Sequence, residues 1–75
     1  MEANKEIDCK GMNCPMPVLK TKKAIETMNS GEILKVEATD KGSKSDIAAF
    51  ARRTGNELLE TKEEGGTFIF FLKKK

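Results

Sequence analysis

The most apolar stretch of the chain is the run Phe68-Ile69-Phe70-Phe71-Leu72 near its end. A strand made of these residues presents hydrophobic side chains on both faces, which is typical of a strand in the middle of a sheet. The chain has 75 residues, a length that allows one domain, residues 1–75, with one small core. The sequence therefore predicts a single-domain fold in which Thr67–Lys73 is a central strand.

Apolar residues recur at helical or strand spacing along the rest of the chain, and turn-forming residues separate these segments. The predicted elements are a strand at Glu6–Cys9, a helix from Cys14 to about Met28, a strand at Glu32–Thr39, a helix that follows Ser43 and ends near Thr54, and strands at Glu57–Lys62 and Thr67–Lys73. The first two strands are expected to be parallel, and the charged third strand is expected at an edge. Two helices can cover only one face of four strands. The predicted fold class is thus α/β (α+β), a β-α-β-α-β-β two-layer sandwich with both helices on one face of a mixed sheet.

Single residues predict three local features of this fold. Gly31 is expected to take the left-handed conformation that ends the first helix. Ser43 and Asp46 have the spacing of a side-chain capping arrangement at the start of the second helix. Gly65 and Gly66 predict a tight hairpin between the last two strands.

The helix-free face of the sheet is expected to carry three apolar side chains, those of Ile33, Ile69 and Phe71. Apolar residues on a solvated face can mark a surface for a partner or for self-association. Exposed apolar side chains that are merely scattered are equally common and need no function. The sequence alone leaves both interpretations open.

The charges are of mixed sign, because 35% of the residues are charged while the net charge is only +2. This pattern favours a solvated surface over a nucleic-acid-binding one. Two lysine groups are either surface charge or a docking patch for an acidic partner: Lys20, Lys22 and Lys23, and Lys73 to Lys75. No apolar run approaches the ~20 residues needed to cross a bilayer. The first residues also lack the core of a signal peptide, so we expect a cytoplasmic protein with reduced thiols.

Cys14 opens the first predicted helix in the run Cys14-Pro15-Met16-Pro17. A helix N-terminus has unpaired N–H groups and a partial positive charge, and both favour a thiolate. Both prolines fit the first helical turn, which leaves the N–H groups of Met16 and Val18 as possible donors to the sulfur. Cys14 is therefore either a reactive thiol or an inert residue where the helix begins.

Cys9 alternates with Ile7 in the first strand and is expected to point into the core. Free cysteine is often buried, which favours packing, although a second acceptor thiol remains the alternative. A chain with two cysteines and no histidine does not offer the four ligands of a structural zinc site. It also has no Ser-His or Cys-His nucleophile pair. No metal site is predicted.

The segment from Asp8 to Val18 resembles the signature of the TusA-like (SirA-like) sulfur-carrier family. That signature is an aspartate, a glycine three residues on, and then Cys-Pro-x-Pro opening a helix. The matching residues are Asp8, Gly11, Cys14, Pro15 and Pro17. The likeness extends through both helices and the final hairpin, over nearly the whole chain.

The resemblance implies that Cys14 accepts sulfane sulfur as a persulfide and hands it on, with Asp8, Gly11, Pro15 and Pro17 in supporting roles. It implies a cysteine desulfurase or a rhodanese-like protein as donor and a downstream protein as acceptor, in tRNA thiolation, molybdenum cofactor synthesis or sulfur oxidation. Sulfur transfer resembles thiol exchange, so no metal or organic cofactor is expected. Without a general base, the protein is expected to be a stoichiometric carrier more than a stand-alone enzyme. No role carries over to Cys9.

Two other functions compete with this one. The open sheet face and the lysines could serve an RNA- or protein-binding module, and the element order is similar to that of the C-terminal domain of a bacterial translation initiation factor. The small net charge and the absence of Tyr and Trp argue against direct nucleic-acid binding. The second competing function is a thiol redox regulator that forms a disulfide between Cys9 and Cys14.

Overall fold

The computed structural model describes residues 2–13 and 15–75. Within these residues the chain forms four strands and two helices in the predicted β-α-β-α-β-β order. The elements are β1 (Lys5–Cys9), α1 (Met16–Glu26), β2 (Ile33–Ala38), α2 (Ser43–Thr54), β3 (Glu57–Glu64) and β4 (Thr67–Lys73). Both helices contact the same mixed sheet, which confirms the predicted fold class.

The strands lie in the order β1-β2-β4-β3. β1 and β2 are parallel, whereas β4 runs antiparallel to both of its neighbours. The apolar strand β4 is therefore central, and the charged strand β3 is at an edge, as predicted. An edge strand of this composition resists pairing with a second chain, because charged side chains flank its free backbone groups.

The core lies between the sheet and the helices. Val36 pairs with Phe70 across the middle of the sheet, and both side chains are fully buried. The two helices bury Ile25 and Ile47 against this layer. Alternate residues of β2 and β4 thus supply the sheet half of the core, as the period of two in their sequences requires.

Helix α1 is shorter than predicted. It begins at Met16, with Pro15 as its N-cap, and it ends at Glu26 because the N–H of Thr27 already turns back to the carbonyl of Ala24, at 3.2 Å. Gly31 does have a positive φ, of 87°, but it lies beyond the helix end. Its N–H donates to the carbonyl of Lys74, so the predicted role of Gly31 as a helix cap is wrong.

Helix α2 begins without the predicted capping arrangement. Its N-cap is Gly42, with no side-chain cap hydrogen bond, and Ser43 is already the first helical residue. The Ser43 hydroxyl donates to the carbonyl of Asp40 at 2.6 Å instead, so it closes the preceding turn. At the other end of the helix, Gly55 has a φ of 79° and forms a left-handed cap.

The hairpin between β3 and β4 turns at Gly65 and Gly66, which have φ values of 54° and 85°. Both strands reach this two-residue turn, so β3 is two residues longer than predicted. A register shift between Leu58 and Glu60 lengthens β3 relative to β4. Such an irregularity bends an edge strand and makes its outer edge less suited to pairing.

The helix-free face of the sheet is less apolar than the alternation of its residues predicts. Phe71 is only 5% exposed, and Ile33 and Ile69 are half-buried. Phe71 lies opposite Lys35 and Glu60, and long charged side chains cover adjacent apolar surface with their stems. An exposed apolar patch for RNA or a protein is therefore not formed on this face by these three residues.

Candidate functional site

The predicted nucleophile, Cys14, lies outside the described residues, and so does the Cys9–Cys14 disulfide of the competing redox hypothesis. The site is defined by the residues that flank it. Asn13 and Pro15, on either side, are both exposed. The chain is therefore at the surface at residues 13 and 15, between the end of β1 and the start of α1.

The turn that precedes position 14 is held by three hydrogen bonds that backbone N–H groups donate. The N–H of Lys10 donates to Oδ1 of Asp8 at 2.9 Å, and the N–H of Met12 donates to the carbonyl of Cys9 at 3.1 Å. Between them, the N–H of Gly11 donates to Oγ1 of Thr39 at 2.9 Å. Gly11 has a φ of 80°, a conformation that glycine adopts without a steric penalty. Asp8 and Gly11 thus fix the path of the chain toward the cysteine.

The first turn of α1 follows directly after position 14. The N–H of Met16 donates to the carbonyl of Asn13 at 2.8 Å, so it is not the free donor to a sulfur anion that the sequence suggested. Pro15 is the N-cap, and Pro17 is the second helical residue and fully buried. Residues 16–19 contain no acidic side chain, so nothing in this turn neutralises the positive end of the helix dipole.

Cys9 is fully buried in the core cluster, with its Sγ 4.0 Å from the carbonyl oxygen of Pro17. That same carbonyl accepts a shorter hydrogen bond, of 2.7 Å, from the buried hydroxyl of Thr21. Burial raises the pKa of the Cys9 thiol; the nearby charge of Lys20 opposes this rise, while that of Asp8 adds to it. A buried thiol that resists ionisation is a poor nucleophile, so these observations favour packing as the role of Cys9.

Two residues that the sequence did not single out for this site also hold the turn. Thr39, at the end of β2, accepts from Gly11, and Lys20 donates from its Nζ to the carbonyl of Asp8 at 2.8 Å. Lys20 had been noted only as part of a lysine group. The sequence could have indicated this role of Lys20, because a residue one turn into the helix faces the end of the parallel strand β1.

A shallow groove of about 210 Å³ lies beside the cysteine-bearing turn. We call it the α1 groove; its lining residues are Met12, Met16, Leu19, Lys20 and Lys23. Met16 is 50% exposed and Leu19 is 45% exposed, although both are large and hydrophobic. Exposed apolar side chains next to a candidate reactive residue are a feature of sites that other molecules contact.

Among residues 2–13 and 15–75, no group of three or more histidine, cysteine or carboxylate side chains is placed to hold a metal ion. Over the same residues, neither helix is long and apolar enough to cross a membrane.

Three comparisons place this geometry among known proteins. The family model described as Sulfurtransferase TusA matches residues 5–74. The sulfur carrier protein TusA of Allochromatium vinosum is 55% identical over 71 residues, which are 95% of this chain and 93% of that protein. The sulfur carrier protein TusA of Pseudomonas putida is 39% identical over 69 residues, which are 92% of this chain and 86% of that protein. The crystal structure of a SirA-like protein from Desulfitobacterium hafniense superposes with a TM-score of 0.81 at 25% identity, and it covers 92% of this chain and 95% of that one.

Proposed function

Because this chain belongs to the TusA family of sulfurtransferases, a family of sulfur carriers, we propose that Cys14 is the residue that bears the sulfur. Cys14 accepts sulfane sulfur as a persulfide and releases it to a partner protein. The observation that carries this proposal is the family match over residues 5–74, which includes position 14. Proteins of this family act in a relay with other proteins, so a partner on each side of the transfer follows from the family.

The surroundings of position 14 support the proposal. Asn13 and Pro15 are exposed, which gives a partner access, and the following helix turn offers an uncompensated positive end. A thiolate or persulfide anion at this position is favoured by the helix dipole, by about 0.3–1 kcal/mol at an exposed site. Cys9 is buried and has a raised pKa, so it does not compete for the sulfur.

The transfer is a thiol exchange. The Cys14 thiolate attacks the outer sulfur of a cysteine persulfide on the donor, and a new S–S bond forms at Cys14. The S–S bond within the donor breaks, and the donor cysteine leaves as a thiolate with the electron pair. The sulfur keeps its oxidation state, so the step needs no external oxidant or reductant and no cofactor. Release to the acceptor is the same reaction with the acceptor cysteine as the attacking thiolate.

The proposal extends to the partners and the setting of the protein. The donor is a cysteine desulfurase or a rhodanese-like protein, and the acceptor is a downstream sulfur-handling protein. The chain has no histidine, the residue that most often transfers protons in catalysis, so the carrier relies on its partners and works stoichiometrically. Residues 1–75 form one domain in this proposal, and the protein acts in the cytoplasm, where thiols stay reduced.

Intact-mass analysis after sulfur loading tests the proposal. The wild type, Cys14→Ser and Cys9→Ser are each incubated with a cysteine desulfurase and L-cysteine, or with a rhodanese and thiosulfate. The wild type and Cys9→Ser are expected to gain the mass of one sulfur atom, and Cys14→Ser is expected to gain none. Equal loading of Cys14→Ser would show that Cys14 is not the carrier residue.

A further inference from the structure

Lys20 differs from the other lysines of helix α1 in how its side chain is held. It is half-buried, whereas Lys22 and Lys23 are exposed. Its Nζ donates to the carbonyl of Asp8 at 2.8 Å, and this bond joins the helix to the end of β1 across the turn that leads to Cys14. A side chain held in this way keeps its charge in one place, whereas a free surface lysine spreads its charge over many rotamers.

The charge of Lys20 is not neutralised by an ion pair. Four ion pairs form among residues 2–13 and 15–75, and none of them includes Lys20; their lysines are Lys10, Lys35 and Lys62. The carbonyl of Asp8, which accepts from Nζ, is a neutral group. The hydrogen bond therefore fixes the ammonium group of Lys20 without cancelling its charge.

Two observations place this charge beside the cysteine-bearing turn. Lys20 lines the α1 groove together with Met12 and Met16, the residues two positions before and two positions after Cys14. The ammonium group also acts on Cys9, at the end of β1: burial raises the pKa of that thiol, and the charge of Lys20 opposes the rise. The electrostatic field of Lys20 thus extends to the strand end from which the turn starts.

Other charged groups lie at the same edge of the sheet, because β1 and β2 are parallel and a helix follows each of them. The carboxylate of Asp8 accepts from the N–H of Lys10, and the ammonium group of Lys10 lies 3.6 Å from Glu37 of β2. The remaining charged groups on the adjoining elements are Lys23 of α1, Asp40 and Lys41 after β2, and Lys44 and Asp46 of α2. Lys20 is distinguished from these groups by its bond to the backbone at the start of the turn.

We propose that Lys20 is a positioning residue for sulfur transfer: its bond to the Asp8 carbonyl holds an ammonium group beside the cysteine-bearing turn, where the charge favours the anionic form of the Cys14 sulfur. This inference rests on the proposed function, because only there is Cys14 the residue that bears the sulfur. The charge of Lys20 adds to that of the helix N-terminus. Lys20 acts through this charge alone and takes no part in the bond changes of the transfer.

A charge of this kind has opposite effects on the amount of thiolate and on its reactivity. A unit charge about 5–10 Å away in water changes the fraction of thiolate about two- to fourfold. The more stable thiolate is also the weaker nucleophile, which offsets about half of that change on a logarithmic scale. Removing the charge should therefore slow exchange where Cys14 is mostly a thiol and speed it where Cys14 is mostly a thiolate. The profiles of rate against pH are then expected to cross.

The test measures how fast the full-length protein exchanges with dithiodipyridine, a neutral disulfide, between about pH 6 and pH 10 at low ionic strength. The Cys14 thiolate attacks one sulfur of the reagent and forms a mixed disulfide with it. The S–S bond of the reagent breaks, and the other half leaves with the electron pair as thiopyridone, whose absorbance is followed. Because Cys9 is buried, one equivalent of thiopyridone is expected from the folded protein.

Four variants separate charge from structure. Lys20→Met removes the charge, and Lys20→Gln removes it but keeps an N–H donor. Lys20→Arg keeps both the charge and the donor. Lys22→Met is the matched control, because it makes the same charge change at an exposed position of α1 that does not line the α1 groove. Urea unfolding establishes that each variant is folded across the pH range.

Lys20→Met and Lys20→Gln are expected to exchange about 1.5- to twofold more slowly than the wild type below the midpoint of the profile. Above the midpoint they are expected to exchange faster by a similar factor, and the midpoint itself moves to higher pH. Lys20→Arg and Lys22→Met are expected to follow the wild-type profile. Added salt should reduce the difference between the wild type and Lys20→Met.

Two results would refute the role of Lys20. Exchange that is slower in Lys20→Met at every pH, with an unchanged midpoint, would show that Lys20 only supports the structure. A shift of the midpoint in Lys22→Met as large as that in Lys20→Met would show that net charge matters and the position of Lys20 does not.

Sulfur loading separates this inference from the proposed function. The wild type is loaded with inorganic polysulfide, which needs no partner, and with a cysteine desulfurase and L-cysteine. If the exchange profiles cross but Cys14 gains no sulfur from either source, the carrier function fails and the effect of Lys20 on the thiol stands. If Cys14 gains sulfur but the profiles of the wild type and Lys20→Met coincide, the carrier function stands and the role of Lys20 is refuted.

Discussion

Replacing Gly11 with alanine tests whether the turn before Cys14 must be held in its observed shape. Gly11 has a φ of 80°, and a Cβ built on it meets no atom within 4 Å. The substitution therefore creates no clash, and its effect is conformational alone. The left-handed conformation costs an L-residue roughly 1–2 kcal/mol. Restriction of the unfolded chain offsets about 0.4–1 kcal/mol of that cost. The net expected loss in the free energy of unfolding is thus about 1 kcal/mol.

Gly66→Ala is the matched control for Gly11→Ala. Gly66 has a φ of 85° and equally open surroundings, but it lies in the hairpin between β3 and β4. Both variants are expected to lose a similar free energy of unfolding, measured by urea denaturation. Only Gly11→Ala changes the turn that leads to Cys14. If the lost free energy destabilises only the observed shape of that turn, polysulfide loading of Cys14 slows by up to about fivefold in Gly11→Ala. Loading stays at the wild-type rate in Gly66→Ala.

Two results would refute this reasoning. Equal slowing of loading in both variants would mean that general destabilisation, and not the shape of the turn, controls the thiol. A full wild-type loading rate in Gly11→Ala, together with the expected loss of stability, would mean that the observed turn is not required for access to Cys14.

The other predictions concern the core, Cys9 and the end of the chain. Phe70→Ala, at a fully buried position in β4, is expected to lower the free energy of unfolding by about 3–5 kcal/mol; a loss below about 1 kcal/mol would contradict the central place of this strand. Cys9 is expected to resist alkylation at neutral pH until urea unfolds the protein, and labelling of Cys9 in the native state would show that it is accessible. Because burial raises the pKa of Cys9 in the folded state, its stabilising contribution is complete below the unfolded value of about 8.5 and is lost as pH rises through the folded pKa. Above a pH of about 8.5, the free energy of unfolding should therefore fall more steeply with pH in the wild type than in Cys9→Ala. Parallel curves of stability against pH for the two proteins would argue against the raised pKa. Lys74→Met removes the bond of 2.7 Å from Nζ to the carbonyl of Met28 and should cost about 0.5–1.5 kcal/mol, whereas the same change at the exposed Lys62 should cost less.

The arrangement of the fold could be predicted because its signals are local. The apolar run in β4 required burial on both faces, and a strand with that requirement lies in the centre of the sheet. The charged composition of β3 suits only an edge. Gly55 comes directly after Thr54, near which the second helix was predicted to end, and a glycine at that position suits a left-handed cap.

The predictions that failed depend on partners far away in the sequence. Gly31 has the backbone conformation expected of a helix cap, but its hydrogen bond goes to Lys74, in a segment whose position only the folded sheet determines. Ser43 had the spacing of a capping residue, yet the turn at Asp40 uses its hydroxyl. Local propensity gives the conformation in such cases, whereas tertiary contacts decide which group is bonded.

In the candidate site, too, the features with local signals were predicted and those that depend on distant residues were not. Asp8 and Gly11 were expected to support the turn because their spacing matched a family signature. Thr39 and Lys20 support it as well, through hydrogen bonds that span 28 and 12 residues along the chain. The α1 groove likewise appears only once the helices are placed on one face of the sheet. A sequence with mixed charges does not reveal how those charges are divided in space.

Peptide mapping of the loaded protein tests the central claim most directly. Trypsin cleaves after lysine, so residues 6–10 and residues 11–20 form separate peptides, and the first contains Cys9 whereas the second contains Cys14. The protein is loaded by a desulfurase with L-cysteine or by a rhodanese with thiosulfate, alkylated to trap any persulfide, and then digested. The account predicts one additional sulfur atom on the peptide of residues 11–20 and none on that of residues 6–10. Additional sulfur on the Cys9 peptide alone would contradict it.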